Sequence, residues 1–502
     1  MTPGFGPRAA RLFHTLLALL FAVAWVSLAS QVRVLIGSRG LLPLGEFAGS
    51  LPPDISFADV PSFLRHGASD ELLFLGCVAG TALAVLGSVG VAPRLLMAAG
   101  TLLYLSYVVV CRNFLSFQWD NLLLECGALS LLLSPRRPGR AAVFVLRVLL
   151  FKLYFESGIA KYQSYLGDWR DGTAMHYYYE TAPLPAGLAW YAHHLPDWFH
   201  ALESRGALGF ELLVPPFIFL GRRGRLFALA VFTGFQLVNL LTANYGFFSH
   251  LALALSVVLL DEADVYRIER WARDTMHLEP VLRPFRAVRT FVARRVRLPS
   301  PKTDEGGTLR FLFRVGVATV SVAGYLLVSL HGALDAFGGA DAETPSTAST
   351  LSARLAPFRV VNTYHLFGHI TRERIEPTFE TSDGARFVEQ DLRYKPGDPS
   401  RRPPYVAPHQ PRVDFLLWFY GLSYERGVPA YVRTLLARLC DDPDAVQGLF
   451  AAPLPRAPMA VRVSFYRYRF TSRDERAASG AWWTRELLPG ARTVGCAATA
   501  TR

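Results

Sequence analysis

The sequence predicts an α-helical polytopic membrane bundle followed by a C-terminal β-rich (α+β) soluble domain. Three observations carry this. Of 502 residues, 51% are hydrophobic and only 18% charged, too oily for an ordinary soluble chain of this length. The long apolar runs are confined to residues 1–335. Beyond them, stretches such as VRVSFYRYRF alternate with the period of two that a strand requires.

Taken in order, the apolar runs 13–30, 72–86, 95–110, 122–133, 141–155, 210–220, 226–241, 245–260 and 311–330 give about nine expected spans. They are set against the ~17–25 residues that cross a hydrocarbon core, and the shortest need polar flanks to reach across. Arg8 and Arg11 ahead of the first run, and Ala29-Ser30 after it, fit a signal peptide. The spans that follow favour an uncleaved first helix.

A net charge of +12 would suit a nucleic-acid partner in a soluble protein. Here the basic residues fall on alternate connections, so no nucleic acid is expected. Arg8 and Arg11, then Arg94, then Arg136 in RRPGR, then GRRGR from 221, then Arg283, Arg286, Arg289, Arg294, Arg295 and Arg297 would face the cytoplasm. The segments 31–70 and 156–209, with everything after 330, would emerge on the far side, which an odd number of spans satisfies. The N-terminus is then cytoplasmic and the C-terminal domain lumenal or periplasmic.

Residues 336–356, including GGADAETPSTASTLSAR, are small and polar and read as a flexible linker. The second domain, 357–502, is expected to open with a hairpin turning at Ser382-Asp383-Gly384. A strand follows at 461–470, with Val461, Val463 and Phe465 on one face and Tyr466, Tyr468 and Phe470 on the other. Helices are expected at 413–422 and 429–439. Of five cysteines, Cys77, Cys111 and Cys126 lie in or beside spans. Cys440 and Cys496 share the exported domain and would either pair or stand as two buried thiols.

Ionisable residues inside spans are costly unless they have partners. Asp120, Glu125, Lys152 and Glu156 are expected to form an intramembrane polar cluster that neutralises itself and fixes helix packing. A polar cavity, or a lipid or ion carrier, is the alternative. The chain keeps only four lysines, Lys152, Lys161, Lys302 and Lys395, in a background of arginine. Two of them bracket one helix end, where an ammonium or amine would serve better than a guanidinium.

The stretch WYAHHLPDWFH (190–200) carries three histidines and an aspartate but no expected metal site. Pro196 breaks the helix that would align His193 with Asp197, and no acidic or cysteine cluster completes a ligand set. No serine or cysteine stands beside a base at nucleophile spacing. Trp190, Tyr191, Trp198 and Phe199 have the apolar bodies and polar edges of an interfacial belt.

The blocks FKLYFESGIAKYQS, GDWRDGTAMHYYYETAPLPAGLAWYAHHLPDWFH, NTYHLFGHITRERIEPTFETSDG and YKPGDPSRRPPYVAPHQPRVDF, which lie within 151–415, resemble the lipase maturation factor family, a likeness that runs over about 118–483. His365 and Phe415 depart from the glycine and tryptophan usual there. The resemblance implies a multi-pass protein of a secretory membrane that helps secreted lipases reach active form. That membrane would be the endoplasmic reticulum in a eukaryote and the cytoplasmic membrane in a bacterium. It implies lipase clients and membrane lipid as partners, no catalytic residues and no cofactor. Two surfaces would then meet a client: the aromatic turn with Trp190, Tyr191, Trp198 and Phe199, and the proline-stiffened loop RRPPYVAPHQPR with Arg401, Arg402, His409 and Arg412. The bland reading of that loop is packing along its own domain. FESGIAKYQSYLGDWRDG is also similar to a segment of vitamin K-dependent γ-carboxylases. That likeness implies an alternative, an enzyme with Lys161 as base and Glu156 or Asp168 nearby, although shared fold does not carry chemistry with it.

Overall fold

The computed structural model describes residues 4–276, 307–338 and 346–496. Pro7 opens α1 (Pro7–Ala29), where its missing N–H is harmless. Ser69 accepts the Leu72 N–H to cap α2 (Asp70–Ser88), and Pro93 opens α3 (Pro93–Cys111). There follow α4 (Gln118–Ser130), α5 (Arg140–Tyr162), α6 (Ala174–Thr181), α7 (Ala189–His193), α8 (Asp197–Leu213), α9 (Gly221–Thr242), α10 (Phe248–Leu255), α11 (Glu262–Met276) and α12 (Gly307–Phe337).

Among the described residues five helices are long and apolar enough to cross a membrane: α1, α2, α3, α9 and the Thr319–Phe337 part of α12. The other four expected spans differ for identifiable reasons. The 122–133 run is α4, only 13 residues, or ~20 Å at 1.5 Å per residue, and protein buries it rather than lipid. The 141–155 run belongs to α5, which is 23 residues long but carries Arg147, Lys152, Glu156 and Lys161. Pro215 ends the 210–220 run in a 3-10 turn, Pro215–Phe219, and the 245–260 run divides into α10 and the 3-10 turn Ser256–Leu259.

The two basic flanks at residue 8 and at 221–225 meet at one end of the bundle. Arg8 bridges Glu269 at 2.7 Å and Glu262 at 3.3 Å, and Arg225 bridges Asp261 at 2.7 Å. Arg283, Arg286, Arg289, Arg294, Arg295 and Arg297, and Lys302, lie outside the described residues.

The expected linker is partly helical. Ser346 and Ser349 form a reciprocal capping box that starts α13 (Thr347–Leu355). The domain beyond it is a four-stranded antiparallel sheet in the order β2-β1-β3-β4, from β1 (Arg374–Ser382), β2 (Phe387–Gln390), β3 (Ala460–Phe470) and β4 (Trp483–Gly495). The β1–β2 hairpin turns where expected, with Thr381 opposite Val388. The register jumps between Val463 and Phe465 of β3. Both faces of that strand are covered: Val461, Val463 and Phe465 are buried, and so are Tyr468 and Phe470. Inserted between β2 and β3 are α14 (Arg412–Leu422) and α15 (Ala430–Asp441), and α16 (Arg473–Ser479) lies between β3 and β4.

Cys440 on α15 is bonded to Cys496, just past β4, across 56 residues. Closing a loop of that length removes denatured-state freedom worth about 4 kcal/mol in the chain-entropy account. Cys496→Ser is expected to cost about 2–4 kcal/mol and to expose β4 to protease. Equal tryptic lifetimes of β4 in the variant and the parent would contradict this.

Candidate functional site

The C-terminal domain does not hang from a tether. It is stapled into the end of the bundle opposite Arg8, and the candidate site is built by that contact. The segment 362–367 (NTYHLF) enters between α4, α5 and α12. Glu125, fully buried on α4, accepts hydrogen bonds from the Tyr364 hydroxyl (2.8 Å), the Tyr325 hydroxyl (2.8 Å) and both the backbone and side-chain N–H of Asn362 (3.0 and 2.8 Å). Lys152 faces the same carboxylate at 3.4 Å and also donates to Ser329 at 3.1 Å. Glu156 accepts the Tyr364 backbone N–H at 2.8 Å. Each buried charge therefore has the partners that make burial tolerable.

Three members of the expected polar cluster, Glu125, Lys152 and Glu156, thus gather at one place. Asp120 does not join them. It pairs with Arg412 in a two-pronged contact of 2.5 and 2.8 Å, and Tyr104 donates to it at 2.7 Å. Five residues along a helix is about 140° of rotation, so Asp120 and Glu125 leave α4 on different faces.

Lys161 also has a different partner from those expected. Its ammonium lies 2.7 Å from Glu211 of α8, donates to the Leu366 carbonyl at 2.8 Å and sits over the Trp169 ring. Asp168 pairs instead with Arg372 at 2.8 Å, and Glu156 is taken up by Tyr364. Lys161 is thus paired with neither Glu156 nor Asp168.

Of the residues expected to face a client, several are interior. Trp190 is buried and donates to the Thr471 carbonyl at 2.9 Å, holding α7 to the second domain. The 401–412 loop packs along the bundle as much as along its own domain. Arg401 donates to the Leu392 carbonyl, and Arg402 reaches the Gly187 carbonyl at 3.1 Å and stacks over Trp482. Asn244 receives the N–H of Val406 at 2.7 Å and donates to the Pro404 carbonyl at 2.8 Å. Gln31 bridges the Gln410 carbonyl and the Arg412 N–H. Arg412 is fully buried and cannot meet a partner, while His409 is half-buried with its Nδ1 engaged by Ser27. What stays open is Trp198, 68% exposed, with Leu202 one turn on at 59%, Tyr191 at 48% and Tyr405 at 55%, together with Arg402. Phe199 is half-buried. Pro196 separates α7 from α8 as expected, and turns Trp198 outward.

His409 reports the docking. The Ser27 hydroxyl accepts the Gln410 N–H at 3.0 Å and lies 2.9 Å from His409 Nδ1, a contact that a neutral ring makes in either tautomer. Burial, with Arg412 and Arg393 nearby, lowers its pKa from 6.5 to about 4. Tyr394 covers the ring from its own domain. The unfolded chain takes up a proton near 6.5 and the folded one only near 4. This contribution to docking is therefore complete above pH 6.5 and is lost as pH falls from there toward 4. His409→Asn keeps an acceptor and should flatten that part of the pH dependence of thermal unfolding. Unchanged acid sensitivity in the variant would refute the assignment.

Sequence reasoning missed Glu211, Asn244, Gln31, Tyr364 and Asn362. Glu211 was signalled, since it was the carboxylate in the 210–220 run and Lys161 needed a counter-charge. The others are neutral residues whose partners are far away in the chain.

A family model described as the lipase maturation factor transmembrane domain matches residues 8–267. One described as the lipase maturation factor C-terminal domain matches 360–491. Lipase maturation factor 1 of Homo sapiens is 30% identical over 94% of this chain and 85% of its own length. The Bos taurus protein of the same name is 31% identical over 94% and 86%. Lipase maturation factor 2 of Gallus gallus is 30% identical over 96% and 81%. No solved structure matches the chain.

Proposed function

The chain belongs to the lipase maturation factor family, and from that premise we propose that it is a membrane-embedded maturation factor that brings secreted lipases to their active form. The observation that carries this reading is a match to the family over both parts of the chain, bundle and C-terminal domain alike. The physical support is the fusion of those parts into one body whose open aromatic residues, Trp198, Tyr191 and Tyr405, adjoin the junction, with Leu202 beside Trp198. Rigid aromatic side chains of this kind give large contact area at small entropic cost, which suits a partly folded client.

The role is non-enzymatic in this proposal. The ion pair of Lys161 with Glu211, and its contacts with a carbonyl and an indole, support a cation that pins α5 to α8 rather than a base. The basic end at Arg8 and Arg225 faces the cytoplasm and the C-terminal domain faces the lumen or periplasm. The membrane is that of the endoplasmic reticulum in a eukaryotic host or the cytoplasmic one in a bacterial host.

The test is the activity of a co-expressed secreted lipase. Lys161→Arg keeps the charge and removes a usable base, and lipase activity should persist. Trp198→Asp with Tyr405→Asp should lower it, with the abundance of the chain unchanged. Loss in Lys161→Arg with retention in the aromatic variant would overturn the proposal in favour of an enzyme.

A further inference from the structure

Between α5, α6, α8 and α9 lies a cavity of about 320 Å³ that the docking contact roofs with Leu366 and Phe367. Its walls are largely apolar, from Leu153, Met175, Phe210, Val231, Phe235 and Phe248. The volume sits near the lower end of the ~300–1,000 Å³ of small-molecule pockets, enough for one hydrocarbon chain rather than two. Gly206 of α8 and Gly234 of α9 line it, and a side chain added at either would meet open space. Both are exposed on the bundle surface, so a chain can enter sideways from the membrane.

The polar groups in this wall select the head. Gln236 is buried and donates to the Tyr154 hydroxyl at 3.1 Å, while its Oε1 has no partner. Turning the amide over leaves its NH₂ unpaired instead, so the cavity presents a polar atom in either orientation. A buried amide group left unpaired is costly, and a hydroxyl can answer either orientation because it both donates and accepts. The charges disfavour an acid: Lys161 is already matched by Glu211, and Glu203 adds a further carboxylate to the lining. The hydroxyls of Tyr178 and Tyr245 are hydrogen-bonded to each other at 2.7 Å, and that of Tyr178 also reaches Asn239 Oδ1 at 3.4 Å.

We propose that this cavity binds a neutral single-chain lipid, its hydrocarbon tail entering between Gly206 and Gly234 and its hydroxyl head reaching Gln236. A monoacylglycerol and a long-chain alcohol share that chemistry. Because Leu366 and Phe367 form the roof, a bound lipid also buttresses the docked domain.

The test uses the full chain in phosphatidylcholine nanodiscs with a photoactivatable monooleoylglycerol. Label should fall on α8 and α9 peptides lining the cavity. Gln236→Leu should weaken labelling about five-fold, the effect of one neutral hydrogen bond. Gly234→Trp should abolish it, and Gly206→Trp serves as a second blocking variant; thermal unfolding without the probe checks that each is folded. Monooleoylglycerol, oleyl alcohol or both should compete, the pattern naming the source. Oleate should compete about ten-fold less, since its carboxylate meets Glu211 and Glu203. Label on outer surfaces that neither tryptophan reduces, or oleate competing equally, would overturn the proposal.

Discussion

Arg412→Met is expected to cost about 3–5 kcal/mol, enough to unfold or undock much of the protein, because it leaves the Asp120 carboxylate buried with no counter-charge. Tyr104 alone cannot replace two charge-assisted hydrogen bonds. The double variant Asp120→Leu with Arg412→Met should recover most of the loss, since an apolar pair of similar volume is often neutral where a lone buried charge is not. Thermal unfolding in detergent distinguishes the two. A single variant as stable as the parent, or a double variant no better than the single, would mean that the contact does not hold the domain to the bundle.

Glu125→Leu has the second large expected effect, of a different kind. The carboxylate gathers four hydrogen bonds from Tyr325, Tyr364 and Asn362, and three of the four come from the 362–367 segment. Removing it takes the acceptor from these donors and the nearest carboxylate from Lys152, at about 3–5 kcal/mol in total. The sheet has its own buried core, with Glu376 held between Arg374 and Lys395, and should survive. The expected signature is therefore local: fast hydrogen exchange and proteolysis at 362–367 with β1 and β3 still protected. Protection lost evenly across the domain would contradict a docking role for Glu125.

Both sites show what a sequence reveals of such a fold. Lys152 and Glu156, four apart on one helix, were readable as a pair, and Glu125 followed as the nearest intramembrane counter-charge. The 140° between Asp120 and Glu125 was also readable, yet the partner of Asp120 lies 292 residues away in a proline-rich loop. Periodicity is local and says nothing about such a distance. Arg412 and His409 looked like exposed binding groups because a polar, proline-stiffened segment ordinarily runs over a surface. Here that surface is the end of a membrane bundle, supplying Ser27, Gln31, Asp120 and Asn244. The strands, the Ser382–Gly384 turn and α14 and α15 were legible because each rests on residues close together in the chain. The span count was less so, since a short buried helix such as α4 is as apolar as one that faces lipid.

In the proposed function, bundle and C-terminal domain act as one body that offers its open aromatic residues to a lipase on the exported side. Photoreactive residues placed separately at Trp198 and at Tyr405, in cells secreting a lipase, test it most directly. Both positions are expected to capture the immature lipase, and an impermeant quencher outside the cytoplasm to suppress both. Capture of no lipase from either position, or quenching of the two from opposite faces of the membrane, would contradict it.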